Sequence, residues 1–202
     1  MINHTYKCIQ VHIPKTAGIT IRSLFYPNFN IDKHTDKYMH IKPNHSDYRK
    51  YWNEYFTFTF IRNPWERLVS CYNFCFVKKT GSLINKLIPE RYPTFEDFVD
   101  NITSEQLFRS QRFHPQLWWM QNQENKEYYA YDFIGFVENI EHDVSCLIKR
   151  LGLKKQEVPN LNHYTKKSYI DYYVKPSMVD KVAQIYSQDI DFFNYTFEGL
   201  KK

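Results

Sequence analysis

Residues 12–20, which read HIPKTAGIT, combine a cation, two hydroxyls and a glycine between an apolar run and a helical pattern. Lys15 supplies a positive charge, and Gly18 lets the backbone approach a ligand closely. Thr16 and Thr20 add hydroxyl donors. Because backbone N–H groups at the start of a helix attract anions, the segment predicts a phosphate-binding turn. It lacks the Walker pattern GxxxxGK[ST], and a plain strand-to-helix turn with an exposed lysine is the alternative interpretation.

A second strand-to-helix junction, residues 58–70, carries an arginine and reads FTFIRNPWERLVS. Arg62 follows the predicted strand at its carboxyl end, where open α/β sheets bind ligands, and its guanidinium suits a phosphate. Ser70 lies one helical turn beyond Glu66, so both side chains share a face. Two alternatives stay open: an ion pair between Arg62 and Glu66, and a Ser70 that faces the core.

The elements that must position these residues alternate between strands and helices. Runs rich in β-branched and aromatic residues predict strands at residues 9–13, 36–41, 56–61 and 132–137. Helical periodicity, caps and breakers predict helices at residues 19–25, 65–77, 138–151 and 177–192, and a short helix capped by Thr94. Residues 78–93 show no clear period and are predicted to be a surface loop. Strands followed repeatedly by helices indicate an α/β fold with a central, mainly parallel sheet, in a single domain of residues 1–202.

Composition narrows the possible functions. The 202 residues carry a formal net charge of +5 and no run of five basic residues, which suits an anionic ligand better than nucleic acid. No stretch reaches the about 18 apolar residues of a membrane span, and the start of the chain has no signal-peptide pattern, so we expect a cytoplasmic protein. The four cysteines form no CxxC pair, which disfavours zinc, and Cys71 and Cys75 are interpreted as small buried residues of a helix.

Taken together, HIPKTAG and RNPWERLVSCY resemble the two cofactor motifs of the sulfotransferases that use 3′-phosphoadenosine-5′-phosphosulfate (PAPS), of the Golgi carbohydrate 2-O-sulfotransferase type and its bacterial relatives. Further segments are also similar, namely FHPQLWW at residues 113–119, YDFIGFVENIEHDV at residues 131–144, and the C-terminal region from residue 169. The resemblance covers nearly the whole chain. It implies a three-layer, P-loop-like fold and transfer of a sulfuryl group to a hydroxyl acceptor, expected to be a carbohydrate or glycan.

The resemblance also implies roles for individual residues. The first motif would bind the 5′-phosphosulfate through Lys15, Thr16, Ala17, Gly18, Ile19 and Thr20. The second would bind the 3′-phosphate through Arg62 and Ser70. The family usually has Thr or Ser where this chain has Ile19, so one side-chain donor is lost and cofactor binding is expected to be weaker than is typical.

Two residues are expected to act in catalysis. Lys15 suits stabilisation of the charge that builds on the leaving phosphate oxygen. His40 resembles the family's catalytic histidine in its spacing from the second motif, and a histidine is the usual base at neutral pH. His12, His34 and His45 are the rival candidates. No metal is expected, because no triphosphate has to be bridged.

Two other functions stay open on the sequence alone. A P-loop-like kinase would share the strand-to-helix turn, although the Walker glycines and an obvious magnesium-binding Asp are missing. A non-catalytic module could keep the cofactor fold and bind a sulfated or phosphorylated partner, which Ile19 slightly favours. The acceptor is set by loops whose shape does not follow from the sequence, and the oligomeric state is also undetermined.

Overall fold

The structure is a computed structural model, and it describes residues 1–26, 41–77, 83–122, 124–154 and 167–201. The chain divides into two compact units, Met1–Ile61 with Gln116–Asn162, and Arg62–Pro115 with His163–Lys202. The assignment of residues 1–202 to a single domain stays a prediction.

The first unit contains a four-stranded sheet. Its strands lie in chain order: β1 Ile2–Asn3, β2 Cys8–Val11, β3 Phe56–Ile61 and β4 Phe133–Phe136. β1 runs antiparallel to β2, whereas β2, β3 and β4 run parallel to one another. This mainly parallel sheet, flanked by helices, confirms the predicted α/β class, and β3 has the predicted bounds.

Helices occupy most of the remaining described chain. In chain order they are α1 Gly18–Ser23, α2 Ser46–Arg49, α3 Pro64–Val77, α4 Leu83–Arg91, α5 Phe95–Asn101, α6 Ser104–Leu107, α7 Gln116–Met120, α8 Ile140–Leu151, α9 Pro176–Ile185 and α10 Ser187–Phe193. A short antiparallel pair, β5 Tyr195–Thr196 and β6 Gly199–Leu200, lies near the C-terminus in the second unit.

Alternation along β3 builds the core of the first unit. Phe58 and Phe60 belong to one buried cluster, together with residues of α1 and α8. A second cluster contains Ile9 and Val11 of β2. All residues of β3 except Phe56 are buried. Such burial is expected for a strand in a parallel sheet that is covered on both faces. Burial of this kind fixes the carboxyl ends of β2 and β3, which lead into the two motifs.

Aromatic packing and local caps organise the second unit. Tyr72 of α3 lies edge-on to Phe95 and is tilted against Phe98, both of α5. Thr94 caps α5, because its side chain accepts a hydrogen bond of 3.0 Å from the Asp97 N–H. This confirms the predicted cap.

Two predicted elements differ from the structure, and a third cannot be compared. The loop predicted at residues 78–93 is wrong for its second half, since α4 runs from Leu83 to Arg91. Pro89 lies inside α4, next to the buried Ile88, although a proline there lacks the N–H that would bond the carbonyl four residues back. The single helix predicted at residues 177–192 is two helices, broken at Tyr186, whose buried hydroxyl donates to the carbonyl of Phe113 over 2.8 Å. The strand predicted at residues 36–41 lies outside the described residues except for Ile41.

Candidate active site

The turn between β2 and α1 has an unusual backbone. Lys15 has φ of 69° and Ala17 has φ of 59°, so two non-glycine residues lie in the left-handed region within one turn. Such residues are uncommon, cost conformational energy and concentrate at functional sites. Left-handed residues also occur in the concave backbone turns whose N–H groups bind anions. The backbone of this turn is therefore compatible with anion binding, and the phosphate-binding role of its residues stays a prediction.

Burial alternates along this turn. The half-buried residues are Lys15, Ala17 and Ile19, and the buried ones are Thr16, Gly18 and Thr20. The Thr16 hydroxyl donates to the carbonyl of Ile13 over 2.9 Å. Because that proton is used inside the turn, Thr16 stabilises the turn through its side chain and can offer a ligand its backbone N–H.

The imidazole of His12 leaves no room for a side chain at Gly18. A Cβ on Gly18 would lie 2.0 Å from Cε1 of His12, whose ring is buried beside the turn. No side chain fits there unless the imidazole moves. His12, one of the rival histidines, is thus packed against the start of α1.

The second motif begins the second unit. Arg62 Nη2 lies 2.7 Å from Glu66 Oε1, and the two side chains are 22% and 27% exposed. The ion pair weighed as the alternative interpretation is therefore present. Ser70 is half-buried within α3, so it is not a fully enclosed core residue.

Arg67, in the same motif, binds backbone carbonyls of the protein through its guanidinium. Its guanidinium is buried and donates to the carbonyls of Arg112 and His114 over 2.9 and 3.0 Å. These bonds tie α3 to the segment before α7. Arg67 therefore holds the segment in place, and Arg62 is the more accessible arginine of the pair.

Two of the four candidate histidines, His12 and His45, lie in the described part of the chain. His40 and His34 lie outside the described residues. His45 caps α2, and its Nδ1 accepts a hydrogen bond of 3.2 Å from the Asp47 N–H.

Lys42 is a charged residue that the sequence analysis did not single out. Its Nζ lies 2.9 Å from the centroid of the Trp118 indole ring. Burial, with a smaller contribution from the nearby charge of Lys126, lowers the pKa of the Lys42 amine to about 7. Trp119, the adjacent tryptophan, is fully buried in the core. Lys42 and Trp118 are distant in the chain and share no motif, so only the folded chain brings them together.

The described residues contain neither a cluster of metal ligands nor a helix that could span a membrane. No group of three or more His, Cys, Asp and Glu side chains in that part of the chain is arranged to hold a metal ion. No helix there has both the length and the apolar character needed to cross a membrane.

The comparison with protein families gives one match. A sequence model described as the sulfotransferase family matches residues 1–196, which is nearly the whole chain. Comparisons with curated proteins and with solved structures returned no match. The family implies a P-loop-like fold, in agreement with the parallel sheet and with the turn at Lys15. The chain therefore belongs to the sulfotransferase family, and it is an enzyme, a PAPS-dependent sulfotransferase.

Proposed function

We propose that this enzyme transfers the sulfuryl group of PAPS to a hydroxyl of a carbohydrate or glycan and releases 3′,5′-adenosine bisphosphate. The main support is the turn after β2, where Lys15 and Ala17 have positive φ in a chain of this family. A kinase and a non-catalytic module are less well supported, because the family match concerns sulfuryl transfer.

The residues of the turn fit a polyanionic cofactor. Lys15 is half-buried, so its charge is partly shielded from water and acts more strongly on a bound anion. Backbone N–H groups at Ala17, Gly18, Ile19 and Thr20 are the donors that would hold the 5′-phosphosulfate. Thr16 would contribute its N–H, since its hydroxyl is bonded to Ile13. When bound, PAPS would supply the sulfuryl group and a phosphate leaving group.

The assignment of Arg62 and Ser70 to the 3′-phosphate rests on the resemblance of their motif. Arg62 forms an ion pair with Glu66, so binding would require the guanidinium to share its donors between a carboxylate and a phosphate. Arg has five N–H donors, and its two edges can serve both partners. Ser70 is half-buried one turn beyond Glu66 and would add a hydroxyl donor.

The proposed chemistry assigns His40 and Lys15 complementary roles. The acceptor oxygen forms a new bond to sulfur while the bond between sulfur and the bridging phosphate oxygen breaks. His40 would take the hydroxyl proton as the acceptor attacks. Lys15 would stabilise the negative charge that develops on the leaving oxygen. This division of labour resembles phosphoryl transfer, in which positioning and charge neutralisation supply most of the catalysis.

A ligand comparison tests the donor assignment. We expect 3′,5′-adenosine bisphosphate to raise the melting temperature of the protein, because a ligand that binds only the folded state stabilises it. ATP with Mg²⁺ should leave the melting temperature at its value in buffer. A larger shift with ATP and Mg²⁺ would favour a kinase and contradict the proposal.

A further inference from the structure

Three polar side chains, two of them exposed, contact one another along α8 in the first unit. Cys146 Sγ lies 3.8 Å from Nε2 of His142, within the range of a hydrogen bond to sulfur. His142 Nδ1 lies 3.0 Å from Oδ1 of Asp143. The order of contacts is thus thiol, imidazole, carboxylate. The sulfotransferase reaction proposed above uses none of these residues.

Asp143 is held in a fixed position by the backbone. Its Oδ2 accepts a hydrogen bond of 2.7 Å from the Phe136 N–H at the end of β4, and its side chain is 12% exposed. A carboxylate can only accept, so its contact with the imidazole places the hydrogen on Nδ1 of His142. Nε2 is then the acceptor that faces Cys146. Asp143 therefore positions His142 to take up the thiol proton.

Exposure separates Cys146 from the other cysteines. Cys8, Cys71 and Cys75 are buried, whereas Cys146 is exposed, and the chain has four cysteines in all. Lys149 and Arg150 follow Cys146 by three and four positions on α8, where side chains share a helical face. Lys149 therefore offers a control substitution that changes the nearby charge and leaves the contact between thiol and imidazole intact.

We propose that Cys146 is a modification site, a thiol that His142 activates toward low-molecular-weight disulfides. His142 Nε2 takes the thiol proton, and the Cys146 sulfur attacks one sulfur of the disulfide. A new sulfur–sulfur bond forms to Cys146 as the original one breaks, and the second sulfur leaves as a thiolate. Cys146 is oxidised to a mixed disulfide while the small disulfide is reduced to one thiol.

Thiol-exchange kinetics test this proposal on the full chain. With an excess of the chromogenic aromatic disulfide 5,5′-dithiobis(2-nitrobenzoic acid), the folded protein should release about one equivalent of coloured thiolate in a fast phase. The fast phase should vanish in Cys146→Ser. Peptide mapping after treatment with oxidised glutathione should find the mixed disulfide at Cys146. A fast phase that persists in Cys146→Ser, or an adduct on a buried cysteine, would overturn the proposal.

Substitution of His142 separates activation from mere exposure. His142 is 78% exposed, so His142→Gln should fold normally, and it should slow the fast phase by about twofold or more, the size expected for a pair four residues apart on a helix. Asp143→Asn should slow it in the same direction. Glu141→Gln is the matched control on the same turn, and Lys149→Gln removes positive charge without touching the imidazole. An unchanged rate in His142→Gln, or an equal loss in Lys149→Gln, would contradict activation by His142.

Discussion

At the residue scale, proton removal from the acceptor is assigned to His40. We expect His40→Ala to lose about 10² to 10⁴ of kcat, the usual effect of removing a general base, and to bind 3′,5′-adenosine bisphosphate nearly as well as the parent. The parent rate should fall at acidic pH, because a protonated imidazole cannot accept the proton, and the variant should not show this fall. Steady-state kinetics across pH, with calorimetry, measure both quantities.

Three other histidines provide the controls for this assignment. His12 packs against Gly18, so its replacement is expected to disturb the turn and cofactor affinity together. His45 caps α2, and its replacement should affect stability more than rate. His34→Ala should leave the rate unchanged. If another histidine variant loses the acid limb while His40→Ala keeps it, the base is misassigned.

Ile19 is half-buried, and its replacement by Thr is expected to strengthen cofactor binding. Ile19→Thr adds a hydroxyl donor where the family usually has one, and a net hydrogen bond contributes about 1 kcal/mol, so bisphosphate binding should tighten by up to roughly fivefold. Ile19→Val, which shortens the side chain without adding a hydroxyl, is the matched control. Calorimetric titration measures both. Equal affinities for the two variants would show that Ile19 acts through packing alone.

The ion pair between Arg62 and Glu66 makes a second binding prediction. Glu66→Gln should tighten binding of 3′,5′-adenosine bisphosphate, because Arg62 no longer divides its charge with a carboxylate. Ion pairs that stay in contact with water contribute about 0.2–1 kcal/mol, which sets a limit of roughly fivefold. Arg62→Ala should weaken the bisphosphate far more than adenosine 5′-phosphosulfate, which lacks the 3′-phosphate.

Glu105→Gln is the matched control for this substitution. Glu105 also pairs with an arginine four residues away, Arg109, over 3.2 Å, and both side chains lie well exposed in the second unit. Its replacement should not change ligand affinity. If Arg62→Ala weakens the binding of both nucleotides equally, Arg62 does not contact the 3′-phosphate.

At the element scale, the junction of β2 and α1 depends on the contact between Gly18 and His12. Gly18→Ala would place a Cβ 2.0 Å from the imidazole, and overpacking of this kind costs about 1–3 kcal/mol. Urea unfolding should therefore show a lower free energy of unfolding for Gly18→Ala. The double variant with His12→Ala should recover part of the loss, since the methyl then has room. A single variant as stable as the parent would contradict this packing.

Local signals were sufficient for several elements and failed for others. The bounds of β3 followed from a run of β-branched and aromatic residues, and the Thr94 cap followed from a side chain that can accept a backbone N–H. The existence of α4 did not, because residues 78–93 show no clear helical period and α4 contains Pro89, which cannot donate a backbone N–H. The break at Tyr186 was also missed, because no glycine or proline marks it and the bond of its hydroxyl to the carbonyl of Phe113 joins residues far apart in the chain.

The same division between local and distant causes holds for the candidate site. The turn at Lys15 was predicted because its chemistry lies within a few consecutive residues. The positive φ of Ala17 and the contact of His12 with Gly18 were not, because they depend on the folded backbone. The cation of Lys42 over Trp118 joins residues far apart in sequence, so no spacing pattern could reveal it.

At the scale of the whole molecule, the two motifs lie in different compact units. The turn at residues 12–20 belongs to the first unit, and the boundary between Ile61 and Arg62 places Arg62 and Ser70 in the second. The sequence predicted both motifs and the parallel sheet from local patterns. It could not predict the division into units, which depends on contacts between segments that are distant in the chain.

Transfer of labelled sulfur from PAPS to a panel of hydroxyl acceptors tests the central claim most directly. The account predicts that label reaches at least one carbohydrate, that Lys15→Ala abolishes the transfer while staying folded, and that Lys7→Ala retains it. Lys7 is the matched control, because it is another lysine with positive φ, at 47°, on an exposed turn. Removal of the main partner of the leaving-group charge should cost about 10² or more in kcat. Transfer at the parent rate by Lys15→Ala would contradict the account, as would failure of the parent to label any hydroxyl acceptor.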